Sequence, residues 1–189
     1  MKQLPLIDQH LTRLTEPLFA GLDNPVFATP LDDWRSPCEI RTDETFSYWR
    51  PIVQTPRMSF GHFEAAIDVA IHPDLKAFYG SFWSGSLPCS FQQQPLALIQ
   101  IWNPEDFDRL ISNLIGHFLS QQRAASDRLT WFIGTFEDDS EAMVSLDNTT
   151  GEIVQELPGQ GFQQRLAPAL SDFLRLISLD RAKLNPGEL

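Results

Sequence analysis

LALIQIWNPEDFDRLISNLIGHFLSQQRAASDRLTWFIGTFEDDSEAMVSLDNTTGEIVQEL, residues 96–157, decides the fold. Residues 96–102 are short and almost wholly apolar, the mark of a buried strand. Asn103 is a good N-cap, Pro104 suits the first helical position, and Glu105 and Asp106 suit the positive end of a helix. Phe107, Leu110, Ile111, Leu114, Ile115, Phe118 and Leu119 then trace one apolar stripe, which predicts a helix to about Ala125. Residues 129–136 read as a strand. Residues 143–146 and 152–157 read as a hairpin around the turn Asp147-Asn-Thr-Thr-Gly151. With helices first, strands in the middle and helices interspersed, the chain lacks the regular strand–helix alternation of a parallel doubly wound sheet, which gives an α+β class with a mostly antiparallel central sheet and packed helices.

Outward from this block the signals are more local. Ile7, Leu11, Leu14 and Leu18 make an amphipathic helix, started near Pro5 and ended near Pro17 and Gly21. Residues 23–37, with Pro25, Pro30 and Pro37, are expected to be irregular, and residues 46–51 to be a short extended piece. Phe63, Ala66, Ile67, Ala70 and Ile71 form a helical face, and Pro73 restarts a helix carrying Leu75, Phe78 and Tyr79. Leu166, Leu170, Phe173, Leu174 and Ile177 predict a last amphipathic helix. Residues 1–179 are expected to be one domain and residues 180–189 a frayed tail.

The chain carries a net charge of −11. Between Arg128 and Arg165 there is no Lys or Arg, but Glu137, Asp138, Asp139, Glu141, Asp147, Glu152 and Glu156 occur on an alternating apolar framework. A negative field on a rigid surface is expected, suited to a partner rich in Lys and Arg. That balance argues against nucleic acid, whose phosphates need basic patches, and against docking on anionic lipid. No apolar run approaches the roughly 20 residues of a membrane span, and residues 1–5 lack the apolar core of a secretory signal, so a cytoplasmic location is expected. Cys38 and Cys89 are too few for a disulfide framework and read as two reduced, partly buried thiols.

Chemistry is hard to find. No HExxH, GxSxG, GxxxxGK[ST] or GxGxxG occurs. His117, on the apolar helix, reads as a hydrogen-bonded structural residue, and His10 as solvated. Asp147 to Glu152 is too short for a calcium loop and reads as a hairpin turn. The Glu105/Asp106/Asp108 trio reads mostly as helix capping. Neither catalytic residues nor a metal or cofactor are expected. Trp102 stands apart: it ends a strand just before an acidic helix N-terminus, where a groove commonly opens, and could anchor a partner.

Several segments occur in a familiar order: Ser36-Pro-Cys-Glu-Ile40, Tyr48-Trp-Arg-Pro51, Phe63-Glu-Ala-Ala-Ile-Asp-Val-Ala-Ile-His-Pro73 and Phe78-Tyr79. Then come Leu98-Ile-Gln-Ile-Trp102, Glu105-Asp-Phe107, Asn113-Leu-Ile-Gly-His117 and Phe132-Ile-Gly-Thr135. From about residue 5 to 178 the series resembles Syd, the SecY-interacting family of gammaproteobacteria. The resemblance implies an α+β fold of the SUKH (Smi-like) type and a non-enzymatic role. It implies a protein at the cytoplasmic face of the inner membrane, binding basic cytoplasmic loops of the translocation channel SecY through an acidic concave groove and sensing or restraining unassembled SecY; a monomer is expected only as the default state. Candidate groove residues within or beside the matching segments are Glu64, Asp68, Glu105, Asp106, Glu137 and Glu141, with Trp102 as anchor. Glu64 and Asp68 are one helical turn apart and are expected to face one groove. The same fold resemblance leaves a second reading, an acidic immunity protein neutralising a basic toxin domain.

Overall fold

In the computed structural model, which describes residues 6–19, 26–138 and 141–184, the chain opens with helix α1, Leu6–Thr15. Its stripe of Ile7, Leu11 and Leu14 is buried, each such side chain contributing about 1.5–3 kcal/mol of apolar transfer. Leu18 follows, buried on a 3-10 turn, Glu16–Leu18. The expected start at Pro5 and end at Gly21 lie outside the described residues.

Strands β1 (Phe27–Pro30), β2 (Glu39–Thr42) and β3 (Phe46–Trp49) form an antiparallel sheet in the order β1-β3-β2. The reading of residues 23–37 as irregular is therefore corrected at β1. Four residues ending in Pro30 make a strand because Phe27 lies opposite Trp49 and stacks on it at 4.6 Å between ring centroids, a partner 22 residues away along the chain. Strand β4 (Ile52–Val53) leads through helices α2 (Gly61–Ile67) and α3 (Pro73–Tyr79) to its partner β5 (Phe82–Trp83). The helical face expected to reach Ile71 stops at Ile67, since Asp68 takes a left-handed conformation with φ 53°. Pro73 does restart the helix, and the His72 ring nitrogen Nδ1 caps it by accepting from Asp74 N–H.

The rest of the chain builds a seven-stranded antiparallel sheet. Strands β6 (Leu87–Phe91) and β7 (Gln94–Leu98) form a hairpin, helix α4 (Pro104–Arg123) intervenes, and β8 (Thr130–Phe136), β9 (Met143–Asp147), β10 (Ile153–Leu157) and β11 (Gly161–Ala167) follow as a meander. Helix α5, Leu170–Leu176, carries the chain back so that β12, Ile177–Leu179, pairs with β6 at the far edge. The class is α+β with a large antiparallel sheet, as the sequence indicates.

Two boundaries differ from expectation. The strand placed at residues 96–102 ends at Leu98, and Ile101 makes only an isolated parallel bridge to Trp83. The last helix is shorter than its apolar pattern: Leu166 belongs to β11 and Ile177 to β12. Beyond β12, Arg181–Lys183 forms a 3-10 turn capped by Asp180, and residues 185–189 lie outside the described residues.

Packing ties the layers together. Helix α1 rests on α3, α5 and β12, and α4 on β8. Phe107 of α4 meets Phe60 edge-on, and Phe118 stacks over Trp131. Cys38 and Cys89 are buried free thiols, pushed up to about 12 by burial and so held protonated at neutral pH.

Candidate functional site

The N-terminus of α4 is built by the residues the sequence nominates. Asn103 Oδ1 accepts from Asp106 N–H at 2.8 Å, and Asp106 Oδ2 accepts from Trp102 N–H at 2.8 Å. The two side chains satisfy donors on either side of the helix start, which is the logic of a capping box. Asn103 also reaches away from the helix, its Nδ2 donating to the Arg35 carbonyl at 2.8 Å.

That bond is one of four that hold the segment after β1 across the helix start. Trp102 Nε1–H donates to the Trp34 carbonyl at 2.6 Å, Trp34 Nε1–H donates to Glu105 Oε2 at 2.9 Å, and the Ser36 hydroxyl donates to the Trp102 carbonyl. Between this strap, α4 and the ends of the sheets lies a cavity of about 440 Å³. Trp34, Glu39, Gln100, Trp102, Asp106 and Arg109 are among the residues of its wall, together with Asp32, the loop Ser84–Gly85–Ser86 and Phe132. Its size falls in the range of specific ligand pockets.

Electrostatically the wall holds three carboxylates, Asp32, Glu39 and Asp106, against one guanidinium, Arg109. Glu39 is well satisfied: it accepts from Ser36 N–H at 2.7 Å, from Arg35 Nε at 3.0 Å and from the Ser47 hydroxyl. Arg109 lies 2.7 Å from Asp106 Oδ1, with its guanidinium carbon 4.6 Å from the centre of the Trp34 ring. Trp102 is half-buried, edge-on to Trp49 at 5.7 Å, with its N–H already bonded.

Of the seven candidates, Trp102 and Asp106 line this cavity and Glu105 joins it through Trp34. The other four lie elsewhere. Glu64 turns toward α3, pairing with Lys76 at 2.7 Å and accepting from Ile71 N–H; the lysine, chiefly, holds its carboxyl below the usual range. Asp68 sits past the end of α2 in its left-handed position, so the two do not share a helix face as their spacing suggests. Glu137 follows Phe136 at the end of β8 away from Phe132, roughly 16 Å along the strand, and pairs with Lys183 at 2.6 Å. Glu141, exposed with φ 56°, is in the β8–β9 connection beside it.

The acidic run between Arg128 and Arg165 is not the open negative surface its composition suggests. Asp147 and Glu156 are only 4% and 6% exposed. Arg128 reaches Asp147 at 3.1 Å and Glu152 at 3.5 Å, and Arg165 reaches Glu152 at 2.8 Å. The two arginines that bound the run in sequence fold back onto it through the hairpin. Asp147 also serves the turn, its Oδ1 accepting from Thr149 and Thr150 N–H, which makes residues 147–152 the hairpin turn expected of them.

The residues that sequence reasoning missed are Asp32, Trp34, Glu39, Gln100 and Arg109. The available signal was a tryptophan beside two aspartates in a proline-bounded segment, and an arginine three residues after Asp106. His10 is a smaller correction. It is half-buried rather than solvated, and burial, with Arg175 and Arg13 nearby, lowers its pKa.

Fold and cavity together define an acidic α+β protein, with aromatic rings and carboxylates converging at a helix N-terminus. Among the described residues no group of His, Cys, Asp and Glu is arranged to hold a metal ion, and no helix is long and apolar enough to cross a membrane. The family model described as Syd protein (SUKH-2) matches residues 8–178, and the chain belongs to the Syd family. It is 36% identical to Protein Syd of Psychromonas ingrahamii over 146 residues, 77% of this chain and 78% of the relative. It is 40% identical to that of Cronobacter sakazakii over 139 residues, covering 74% and 76%. With Protein Syd of Hahella chejuensis the identity is 41% over 145 residues, covering 74% and 72%.

Proposed function

We propose that this protein is a SecY-binding regulator that captures basic cytoplasmic loops of the channel at the cavity beside the α4 N-terminus. The observation that carries the reading is the excess of carboxylates in a cavity walled by tryptophans, in a chain of the Syd family with net charge −11. Cytoplasmic loops of membrane proteins carry excess Lys and Arg, so the charges are complementary. An acidic protein gains nothing from anionic lipid itself. Its association with the cytoplasmic face of the inner membrane would therefore run through the loops. Trp102, Glu105 and Asp106 are the central contacts, with Asp32 and Glu39 added to them. Glu64, Asp68, Glu137 and Glu141 act at most as an outer field that speeds encounter. No chemical step is part of this role.

The test is capture of SecY from detergent-solubilised membranes by the purified protein at about 50 and 500 mM salt, where the screening length contracts from above 10 Å to below 8 Å. Capture at low salt that weakens at high salt is the expected result. Absence of capture at both would remove SecY as the partner.

A further inference from the structure

The cavity has a chemical preference within basic partners. We infer that it is an arginine-specific anchor pocket, receiving the guanidinium of one arginine of a basic partner segment between its carboxylates and tryptophan rings. The inference rests on the SecY reading only for the source of that segment.

Three observations converge on a guanidinium. The first is the chain's own arginine at the mouth of the pocket: Arg109 lies over the Trp34 ring while bonding Asp106. A planar cation stacked on an indole and held by a carboxylate is the arrangement arginine favours over lysine, since guanidinium is flat, weakly hydrated and carries five donors. The protein thus displays in cis the recognition that a partner can meet in trans. The second is unused negative charge. Arg109 pairs with Asp106 and Arg35 with Glu39, which leaves Asp32 as the wall carboxylate without an ion pair among the described residues. The third is an acceptor without a donor. Gln100, 5% exposed, belongs to the wall; its Nε2 donates to the Ile99 carbonyl, but its Oε1 has no hydrogen-bond partner among the described residues. Buried amide oxygens are nearly always paired, so this orphan, itself closed off from solvent, points to a donor that a ligand brings as the amide turns toward the cavity.

An ammonium group would satisfy the charge but neither stack on the rings nor reach several acceptors in one plane. The cavity also exceeds what one side chain fills, so the neighbouring main chain of the partner enters with it. Arg109, being of the same sign as the guest, limits affinity. The pocket is therefore tuned for a transient anchor.

The probe is a single capped arginine, Nα-acetyl-arginine methylamide, compared with the matching capped lysine. Both are titrated into uniformly 15N-labelled full-length protein, and the indole N–H signals are followed by NMR. Saturable shifts at the Trp34 and Trp102 indoles are expected, with the arginine probe binding roughly fivefold or more tightly than the lysine probe. Arg109→Ala should tighten the arginine probe, and Trp34→Leu should weaken it. Equal affinities for the two probes, or shifts confined to other parts of the molecule, overturn the inference. The comparison on the unaltered protein is decisive even where a variant folds poorly. Salt-sensitive SecY capture without arginine preference would sink the anchor and leave the proposed function standing. Arginine preference without SecY capture would do the reverse.

Discussion

At the residue scale, the C-terminal half of α4 contains the clearest conflict between charge and environment. His117 Nε2 lies 3.4 Å from Thr130 Oγ1 and 3.9 Å from Glu156 Oε2, and that Glu156 oxygen has no hydrogen-bond partner among the described residues. Burial lowers the His117 pKa, and the pull of Glu156 in the other direction is the smaller effect. The folded state therefore binds the proton less readily than the unfolded chain, whose histidine titrates near 6.5. Stability is fully present above about pH 6.5 and declines as pH falls below it toward the depressed folded value, with a slope of at most about 1.4 kcal/mol per pH unit for one proton. His10 is shifted in the same direction and adds to the slope. Urea melts at about pH 7 and pH 5.5 should show this loss. In His117→Gln the loss should be visibly smaller, because the titrating group is gone and its amide can still donate to Glu156. An unchanged slope in the variant would mean that other groups govern the acid limb. Half of this arrangement was legible beforehand: a histidine on an apolar stripe reads as structural. Its partner Glu156 was hidden, because Glu156 belongs by composition to an acidic run that looks solvated. Strand alternation buries it, and local charge counting cannot see the alternation.

At the scale of elements, α4 was legible because its cap, first-turn proline, acids and stripe all agree over twenty residues. The missed elements are those whose stability comes from distant partners. Strand β1 exists by pairing with β3, and the two-residue loop of the β6–β7 hairpin uses Gln92 and Gln93 at φ 50° and 71°. Those are the conformations that Asn-Gly supplies cheaply, so the usual hairpin signature is absent. The last helix was overextended because its spacing runs on through Pro168. That proline forces Ala167 toward an extended conformation and should have ended the pattern there. The strap over α4 was likewise unreadable, since four bonds between segments about 70 residues apart leave no local trace. Its keystone is Asn103, which caps the helix with one end of its amide and holds Arg35 with the other. Asn103→Ala removes both bonds and should cost about 1–2 kcal/mol in a urea melt. Asn103→Asp keeps the cap and loses the donor to the strap. It should therefore retain most of the stability while weakening capture of a basic segment. If the two variants lose stability equally, the strap bond rather than the cap dominates. If Asn103→Asp binds as well as the unaltered chain, the strap does not shape the site.

For the whole molecule, the decisive matter is where the charge stands rather than how much there is. A net charge of −11 and its concentration in residues 129–164 point to that run, yet folding brings Arg128 and Arg165 onto it and buries Asp147 and Glu156. Negative charge open to a partner is found also around the cavity, where Asp32, Asp33 and Glu105 are exposed beside the tryptophans, while exposed charge of the run, such as Glu141, stands at the β8–β9 end. Field lines from a lined cleft are focused by its low-dielectric walls, whereas paired charges on an open surface are screened within about 8 Å at physiological ionic strength. Two charge-reversed proteins with the same change in net charge should thus behave differently. Asp32→Lys with Glu105→Lys should reduce association with a synthetic basic loop peptide by about tenfold or more and flatten its salt dependence. Glu137→Lys with Glu141→Lys, at the other end of β8, should change it by less than about threefold, since only the long-range field is altered. Neither pair lies in the core, so both proteins should stay folded, each melting somewhat lower: Glu105→Lys removes the Trp34 bond and puts a cation at the positive end of α4, and Glu137→Lys loses the Lys183 pair. Equal weakening by the two pairs would mean that net charge alone drives association and that the cavity has no privileged part in it. The far pair weakening it more would move the site to the β8–β9 end of the sheet.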